Sequence, residues 1–445
     1  MFLLGEFLKQ VGLLEQLSKL NLFQRKKIDE AVHILALVLN QFSGGDAVRD
    51  TQYVKDDDAL LAIFGDIHIP APHTSGDFLE RFTIEYVNKL RGIIRKFQDK
   101  MLKKLKRRLG NQVRVSIDSS VYEVFGNTKE GSAASYKKVF GYHPLLLHLH
   151  DTGEPLDIYL REGNAFTSAD AVEMLEHNLS RLAKHFDRII LLADSGFFDQ
   201  KIINAVEELE TRLCKTLKRK IEIRFIITSE INNPLRERFD NAELKWEKCK
   251  KEGKERQRDS HTINYRLESL RHALKRRNKT LKKRGELEIS EFDHTVPSWV
   301  KSYRFVFKRQ EIVIENTSSQ MDLLENSGEY FYHGYVTNLT GKSKEEVICL
   351  IDGRGNQEKF IEDFKNGLGT VHIPSKHFYG NYAYFIISML SWNLKYWILY
   401  RISPDNLIRW KRFRYLFVKV GAQIIKSSRY VIIRFGKGFQ RYREL

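Results

Sequence analysis

Arg188-Ile189-Ile190-Leu191-Leu192-Ala193-Asp194 is the stretch on which the fold turns. An apolar run this short cannot hold as an independent helix and lacks the alternation of a half-exposed strand. It predicts a strand buried on both faces, ending on a carboxylate. Upstream, Val113-Arg114-Val115-Ser116-Ile117 alternates and also ends on a carboxylate, Asp118. Between the two lie a flexible stretch, Gly126 to Ser135, and the runs Leu145–His150 and Leu156–Leu160, which bracket the turn sequence Asp151-Thr152-Gly153-Glu154. Ser168 can cap a helix with apolar positions Val172, Leu175, Leu179 and Leu182. A short helix over Gln200–Glu210 and a strand over Ile221–Thr228 follow. The order strand, strand, strand, helix, strand, helix, strand predicts an α/β domain around a central sheet.

Outside this block the character changes. Residues 1–108 read as helical, with Leu13, Leu14, Leu17 and Leu20, and Ile28, Val32, Leu35 and Leu39, at helical spacing. Breaks at Ser43-Gly44-Gly45 and Pro70-Ala71-Pro72 precede a further helix from about Gly76. Residues 109–231 hold the first part of the α/β core. Residues 232–345 read as a basic, partly β insertion rather than a continuation of the sheet, with strand-like runs Tyr303–Ile314 and Tyr330–Asn338. Residues 346–400 resume the core, and 401–445 form a basic, aromatic C-terminal region, expected to be helical like the N-terminal one.

The 445 residues predict about three domains. With 42% hydrophobic and 12% aromatic residues, wholesale disorder is excluded. Lys plus Arg total 74 against 57 acidic residues, a net charge of +17, which favours a polyanionic partner, nucleic acid or an anionic membrane surface. Three scattered cysteines (Cys214, Cys249 and Cys349) with no CxxC pair support neither a disulfide framework nor a cysteine zinc site. The start, Met1 to Glu6, lacks the basic region of a secretory signal. The most apolar stretch, Ala383 to Tyr400, carries Asn393, Lys395 and several tyrosines, so it reads as a buried core helix and not a membrane span.

Chemistry concentrates at the strand ends. Neighbouring strands could bring Asp118 and Asp194 to a shared hard cation, which takes oxygen ligands and keeps several waters. On a helix beginning near Gly353, Arg354, Glu358, Glu362 and Lys365 share one stripe while Phe360, Ile361, Phe364 and Leu368 take another face. Such a helix would present a carboxylate beside two phosphate-binding cations. Two ions clamping attacking and leaving oxygens are the general solution for in-line displacement at phosphodiesters. Each signal alone has a plainer reading: an Asp after a strand is often a turn residue, and Arg354/Glu358 is an ordinary i,i+4 pair.

Val115-Ser116-Ile117-Asp118-Ser119-Ser120, Gly141-Tyr142-His143-Pro144-Leu145 and Leu192-Ala193-Asp194-Ser195-Gly196-Phe197, in that order, resemble the first two catalytic blocks of bacterial insertion-sequence DDE transposases. Those are cut-and-paste enzymes with an RNase H-like mixed sheet and a β-rich insertion before the catalytic Glu. Their third block, Y-x2-R-x3-E-x6-K, is matched by Arg354, Glu358 and Lys365, with Ile351 in place of the Tyr. Gly367-Leu368-Gly369, His372-Ile373-Pro374-Ser375 and Asn381 through Trp397 continue the likeness over roughly residues 1–435.

The resemblance implies that Asp118, Asp194 and Glu358 are catalytic and bind two Mg2+ ions, with Mn2+ able to substitute. It implies cleavage at transposon ends and strand transfer via a hairpin intermediate, as in relatives with this insertion. Trp299 is the candidate to stack on an extruded base, with Trp246 the weaker alternative and core packing the competing role for both. The implied partners are double-stranded DNA, as terminal inverted repeats and target, and a second protomer in the DNA complex. A cytoplasmic, nucleoid-associated bacterial protein without membrane contact is expected.

DNA-backbone contacts are expected from Arg354 and Lys365, from Lys103, Lys104, Arg107 and Arg108, and from Arg276 and Arg277. The last six lie in strongly basic segments: residues 89–108 hold ten basic and one acidic side chain, and 245–284 sixteen and five. His148 and His150 alternate beside Asp151 but lack a third ligand at sensible spacing. Gly341-Lys342-Ser343 resembles the end of a P-loop, yet Val336 stands where its first glycine belongs, which argues against nucleotide hydrolysis. Two rival functions remain open: a transposase-derived DNA-binding protein without activity, and a metal-dependent nuclease that cleaves without joining.

Overall fold

In the computed structural model the strand Arg188–Ala193 is buried from Ile189 to Ala193 and gives way to a short 3-10 turn at Ser195–Phe197. The structure describes residues 2–23, 28–57, 67–126, 128–231, 235, 244–249, 279–296, 299, 301–316, 329–351, 356–402, 408–426 and 431–436. Helices α1 (Phe2–Val11), α2 (Leu13–Ser18), α3 (Glu30–Ser43), α4 (Thr51–Lys55), α5 (Pro72–Glu80) and α6 (Ile84–Leu109) come first. Strands β1 (Gln112–Ser119), β2 (Tyr122–Glu123), β3 (Ala133–Ala134), β4 (Phe140–Tyr142), β5 (Leu145–Leu149) and β6 (Pro155–Tyr159) follow. Then come α7 (Ala171–Leu182), β7 (Arg188–Ala193), α8 (Gln200–Leu217), β8 (Glu222–Ser229), β9 (Glu247–Lys248), β10 (Lys279–His294), β11 (Tyr303–Asn316) and β12 (Glu329–Thr337). The chain ends with α9 (Lys344–Ile351), α10 (Asn356–Gly367), α11 (Phe378–Ile402), α12 (Trp410–Phe413), β13 (Ala422–Lys426) and β14 (Val431–Phe435).

These elements form two units. One comprises Met1–Gly110, Ser119–Asp170 and Lys359–Leu445, the other Asn111–Asp118 and Ala171–Glu358.

In the first unit the long helix α6 buries Val87, Leu90, Ile94, Phe97, Leu102 and Leu105 and turns most of its cations to solvent. Each such side chain contributes about 1.5–3 kcal/mol on leaving water. Lys106, Arg107 and Arg108 occupy its last turn, where positive charge suits the helix dipole. Helix α5 starts at Pro72 rather than near Gly76, because proline's missing N–H and fixed φ suit a first helical position. Helix α11 lies in the same apolar cluster as α3 and α6, and the reading of its sequence as a core helix holds. No helix among the described residues is long and apolar enough to cross a membrane. Strands β5 and β6 form the expected antiparallel hairpin, and Gly153 (φ +75°) supplies the left-handed residue of its turn. A Cβ there would lie 2.5 Å from the Phe360 ring. Strands β2, β4 and β3 form a small antiparallel sheet.

The second unit is built on a mixed sheet in the order β1-β7-β8-β12-β11-β10-β9. Strands β1, β7 and β8 are parallel, with α8 between the last two. The remaining strands are antiparallel. This corrects the expectation that the insertion stands apart from the sheet: β12 pairs on β8, with Val336 opposite Ile227 and Thr337 opposite Ile226. Strand β8 would otherwise leave an apolar edge unpaired. Strand β10 was not foreseen, because its first half, Lys279 to Arg284, is dominated by cations. The C-terminal region also departs from the helical expectation: β13 and β14 pair as an antiparallel hairpin, in runs rich in isoleucine. The whole is a mixed α/β architecture with a large mixed sheet, in keeping with the RNase H-like expectation.

Candidate functional site

Strand β1 alternates as its sequence requires, burying Val113, Val115 and Ile117. Its parallel register on β7 sets Val115 opposite Leu191 and Ser116 opposite Leu192. Two residues further along each strand stand Asp118 and Asp194. Adjacent strands are about 4.8 Å apart, so both carboxylates follow the same end of neighbouring strands. Both are half-buried. The C-terminal ends of parallel strands are where open α/β sheets place their ligands. Asp194 also caps the turn that follows, its Oδ1 accepting the Gly196 N–H at 2.8 Å, which fixes the orientation of the carboxylate.

The residue after Asp118 is held by a group to which the sequence reading gave no role. Ring nitrogens of the fully buried His143 lie 2.9 Å from the Ala165 carbonyl oxygen (Nδ1) and 2.9 Å from Ser119 Oγ (Nε2). A carbonyl can only accept, so Nδ1 carries the proton and Nε2 accepts the Ser119 hydroxyl hydrogen. Burial pushes the imidazole pKa below its usual value, which favours this neutral form. Gly141, which opens the Gly141-Tyr142-His143 block, lets β4 close on β2: a Cβ there would meet the Tyr122 carbonyl oxygen at 1.9 Å.

Glu358 is exposed in the first turn of α10. Arg354, expected on the same helix, lies outside the described residues, as do Arg276 and Arg277. Among the described residues no group of three or more His, Cys, Asp or Glu side chains stands ready to hold a metal ion. Asp118 and Asp194 are nonetheless a chemically suitable pair for a hard divalent cation, since both are oxygen donors on one edge of the sheet. Ile351, where the resembling family has Tyr, is buried in the apolar cluster of the second unit with Val347 and Ile348.

Lys365 is half-buried. Its Nζ donates to the Val121 carbonyl at 2.6 Å and sits 4.4 Å from the centroid of the Tyr122 ring. Burial, with Lys137 adding like-charge repulsion, lowers its pKa to about 8. Trp299 is 8% exposed and packs against Phe198 (5.1 Å between centroids), Tyr303 (5.3 Å) and Phe305 (6.2 Å), so its faces meet protein. Trp246 is half-buried, with the Arg309 guanidinium 4.1 Å over its ring. Lys103, Lys104, Arg107 and Arg108 all lie exposed on α6. His148 is buried edge-on to Phe360, 5.6 Å between centroids.

Comparison with known proteins adds the following. The family model for the transposase DDE domain, group 1, matches residues 1–445. A solved structure similar to this chain is the cryo-EM structure of piggyBac transposase in a synaptic complex with hairpin DNA. It is 10% identical with a TM-score of 0.38, over 90% of this chain and 74% of that one. No curated protein matches the sequence.

Proposed function

The chain belongs to the transposase DDE domain family, group 1, and from that premise we propose that it cuts DNA at the ends of a mobile element and joins the freed 3′ end to target DNA. The observation that carries this reading is the position of Asp118 and Asp194, each two residues beyond the last paired residues, Ser116 and Leu192, of adjacent parallel strands. Asp118, Asp194 and Glu358 would hold Mg2+, or Mn2+ in its place. Bound divalent ions would polarise the scissile phosphate and activate the attacking hydroxyl.

The chain's own residues prepare that event. The Gly196 N–H holds the Asp194 carboxylate, and His143 grips the hydroxyl next to Asp118. Arg354 and Lys365 would contact phosphates near the reacting bond; for Lys365 this requires exchanging the Val121 carbonyl for a phosphate oxygen. Lys103, Lys104, Arg107 and Arg108 would hold the duplex further out, as would Arg276 and Arg277 in the insertion. Cutting both element ends in one complex calls for two protomers on DNA, and a hairpin intermediate suits an enzyme with this insertion.

Incubating the protein with Mg2+, terminal-repeat DNA and a target separates the readings. Cleavage followed by joining is expected. Cleavage alone would favour a nuclease, and binding without cleavage a descendant that has lost its chemistry. Asp194→Ala is expected to abolish both steps while leaving DNA affinity within about twofold; residual cutting by this variant would overturn the site assignment.

A further inference from the structure

Trp410, Phe413 and Phe417 carry the apolar cluster of the first unit into its C-terminal segment. Among the described residues, no side chain from Ala422 onward joins that cluster. There β13 and β14 form a sheet of two strands, paired among the described residues only with each other. Such a ribbon is marginally stable alone in water, and its apolar residues contribute little until something covers them. Yet apolar side chains are what it carries: Ile432 is 44% exposed, and Ile425, Ile433 and Phe435 are half-buried.

The register sorts these side chains. Gln423 pairs with Arg434, and Ile425 with Ile432. Directly opposite residues share a face and every second residue returns to it, so these four make one face of the ribbon. Ile433 and Phe435 fall on alternate faces from Arg434 and Ile432, that is, on the other side. On the first face Gln423 and Arg434 are both exposed. From Lys419 to Lys437 the sequence holds five basic and no acidic side chains.

Positive charge around exposed apolar side chains suits a partner that is anionic at its rim and partly apolar in its recess. The major groove of duplex DNA has that character: phosphates line it, thymine methyls project into it, and it admits a two-stranded ribbon. Gln and Arg are also side chains whose paired hydrogen-bonding atoms match base edges, Gln at adenine N6 and N7, Arg at guanine O6 and N7. A second copy fits less well, because two ribbons of this charge repel. An anionic lipid surface would attract the cations but give the Gln423 amide nothing to recognise.

We propose that the β13–β14 ribbon enters the major groove and reads sequence there, Arg434 at a guanine and Gln423 at an adenine, with Ile425 and Ile432 against thymine methyls. The proposal rests on the transposase reading and gives it a base-reading element. It is tested with the full chain and a pool of random-sequence duplexes, from which bound molecules are selected and sequenced. The parent should enrich one motif. Arg434→Ala should lose the preference at one guanine and bind the motif about tenfold less tightly, and Gln423→Ala should do the same at an adenine. Arg434→Lys keeps the charge without the two-pronged donor, so it should hold unrelated DNA within about twofold of the parent and still lose the guanine. Placing 7-deazaguanine at that position should weaken the parent several-fold and Arg434→Ala not at all. Variants that keep the motif would overturn the ribbon's role and leave the transposase reading standing. A uniform loss across sequences in Arg434→Ala, restored by Arg434→Lys, would make Arg434 a phosphate contact and overturn base reading. Weakened self-association, or weakened binding to phosphatidylglycerol vesicles, with the motif kept would assign the ribbon to another partner and overturn the proposal. A parent that binds no duplex at low salt would overturn both readings.

Discussion

Glu154 shows how far a residue's surroundings can depart from its local sequence. Asp151-Thr152-Gly153-Glu154 reads as a polar turn, and the turn forms, but Glu154 is only 3% exposed. Trp397 Nε1–H and the Tyr400 hydroxyl each donate to its carboxyl at 2.9 Å, and both come from α11, far along the chain. Burial outweighs these bonds and raises the carboxyl pKa from 4.5 to about 7. Its contribution to stability is therefore whole below pH 4.5, where folded and unfolded chains are both protonated. It is lost as pH rises toward about 7, since the unfolded chain gives up the proton that the folded one keeps. Glutamine can keep both contacts without titrating, its Oε1 accepting the Trp397 N–H and its Nε2 donating to the Tyr400 hydroxyl oxygen. Glu154→Gln should gain on the parent by up to about 3 kcal/mol between pH 5 and pH 8, read by urea unfolding at each pH. A difference that stays flat with pH would mean that the carboxyl is not held neutral. His143 was equally hidden: its block was recognisable, but its grip on Ser119 and Ala165 joins residues that only the folded chain brings together.

At the scale of elements, what short-range periodicity encodes was legible and what long-range pairing decides was not. The ends of β1 and β7, the hairpin of β5 and β6, and the buried helix α11 follow from apolar patterns read within a dozen residues. The pairing of β12 on β8 joins Thr337 to Ile226, and no local pattern announces it. Helix α10 was foreseen as the carrier of Glu358, but not its anchor. Asp363 on α10 meets the fully buried Lys395 of α11 at 3.2 Å and accepts the backbone N–H of Trp410 at 3.1 Å. Burial lowers the Lys395 pKa to about 8, against the pull of Asp363. Removing one partner would leave a buried charge uncompensated. Asp363→Ala should thus cost about 3–5 kcal/mol in denaturant unfolding. Lys395→Met, which keeps the volume and removes the buried charge, should cost less, and the double variant less than the sum. Additive losses would show that the two do not act as a pair.

Across the whole chain the net charge of +17 is not evenly spread. Residues 89–108 carry +9 and residues 245–284 and 395–445 carry +11 each, so everything else is net acidic. The carboxylate pair proposed to hold divalent cations thus belongs to the net acidic remainder of the sequence, while cations gather in segments set apart from it in sequence. On α6 the segregation is physical: one face is apolar and buried, and Lys103, Lys104, Arg107 and Arg108 stand in solvent. Exposed cations contribute little to folding, so their clustering is better explained by a polyanion. Each phosphate neutralised releases condensed counterions, which makes affinity fall with salt at a slope of about −0.9 per contact on B-DNA. Replacing these four side chains with glutamine should reduce the steepness of log K against log salt by about 3 to 4 if all contact phosphates. It should weaken binding equally for unrelated sequences and cost the fold only about 1–2 kcal/mol, from the lost helix-dipole contribution of Arg107 and Arg108. An unchanged salt slope would remove α6 from the DNA path, and a loss confined to one sequence would make its cations readers of bases and not of backbone.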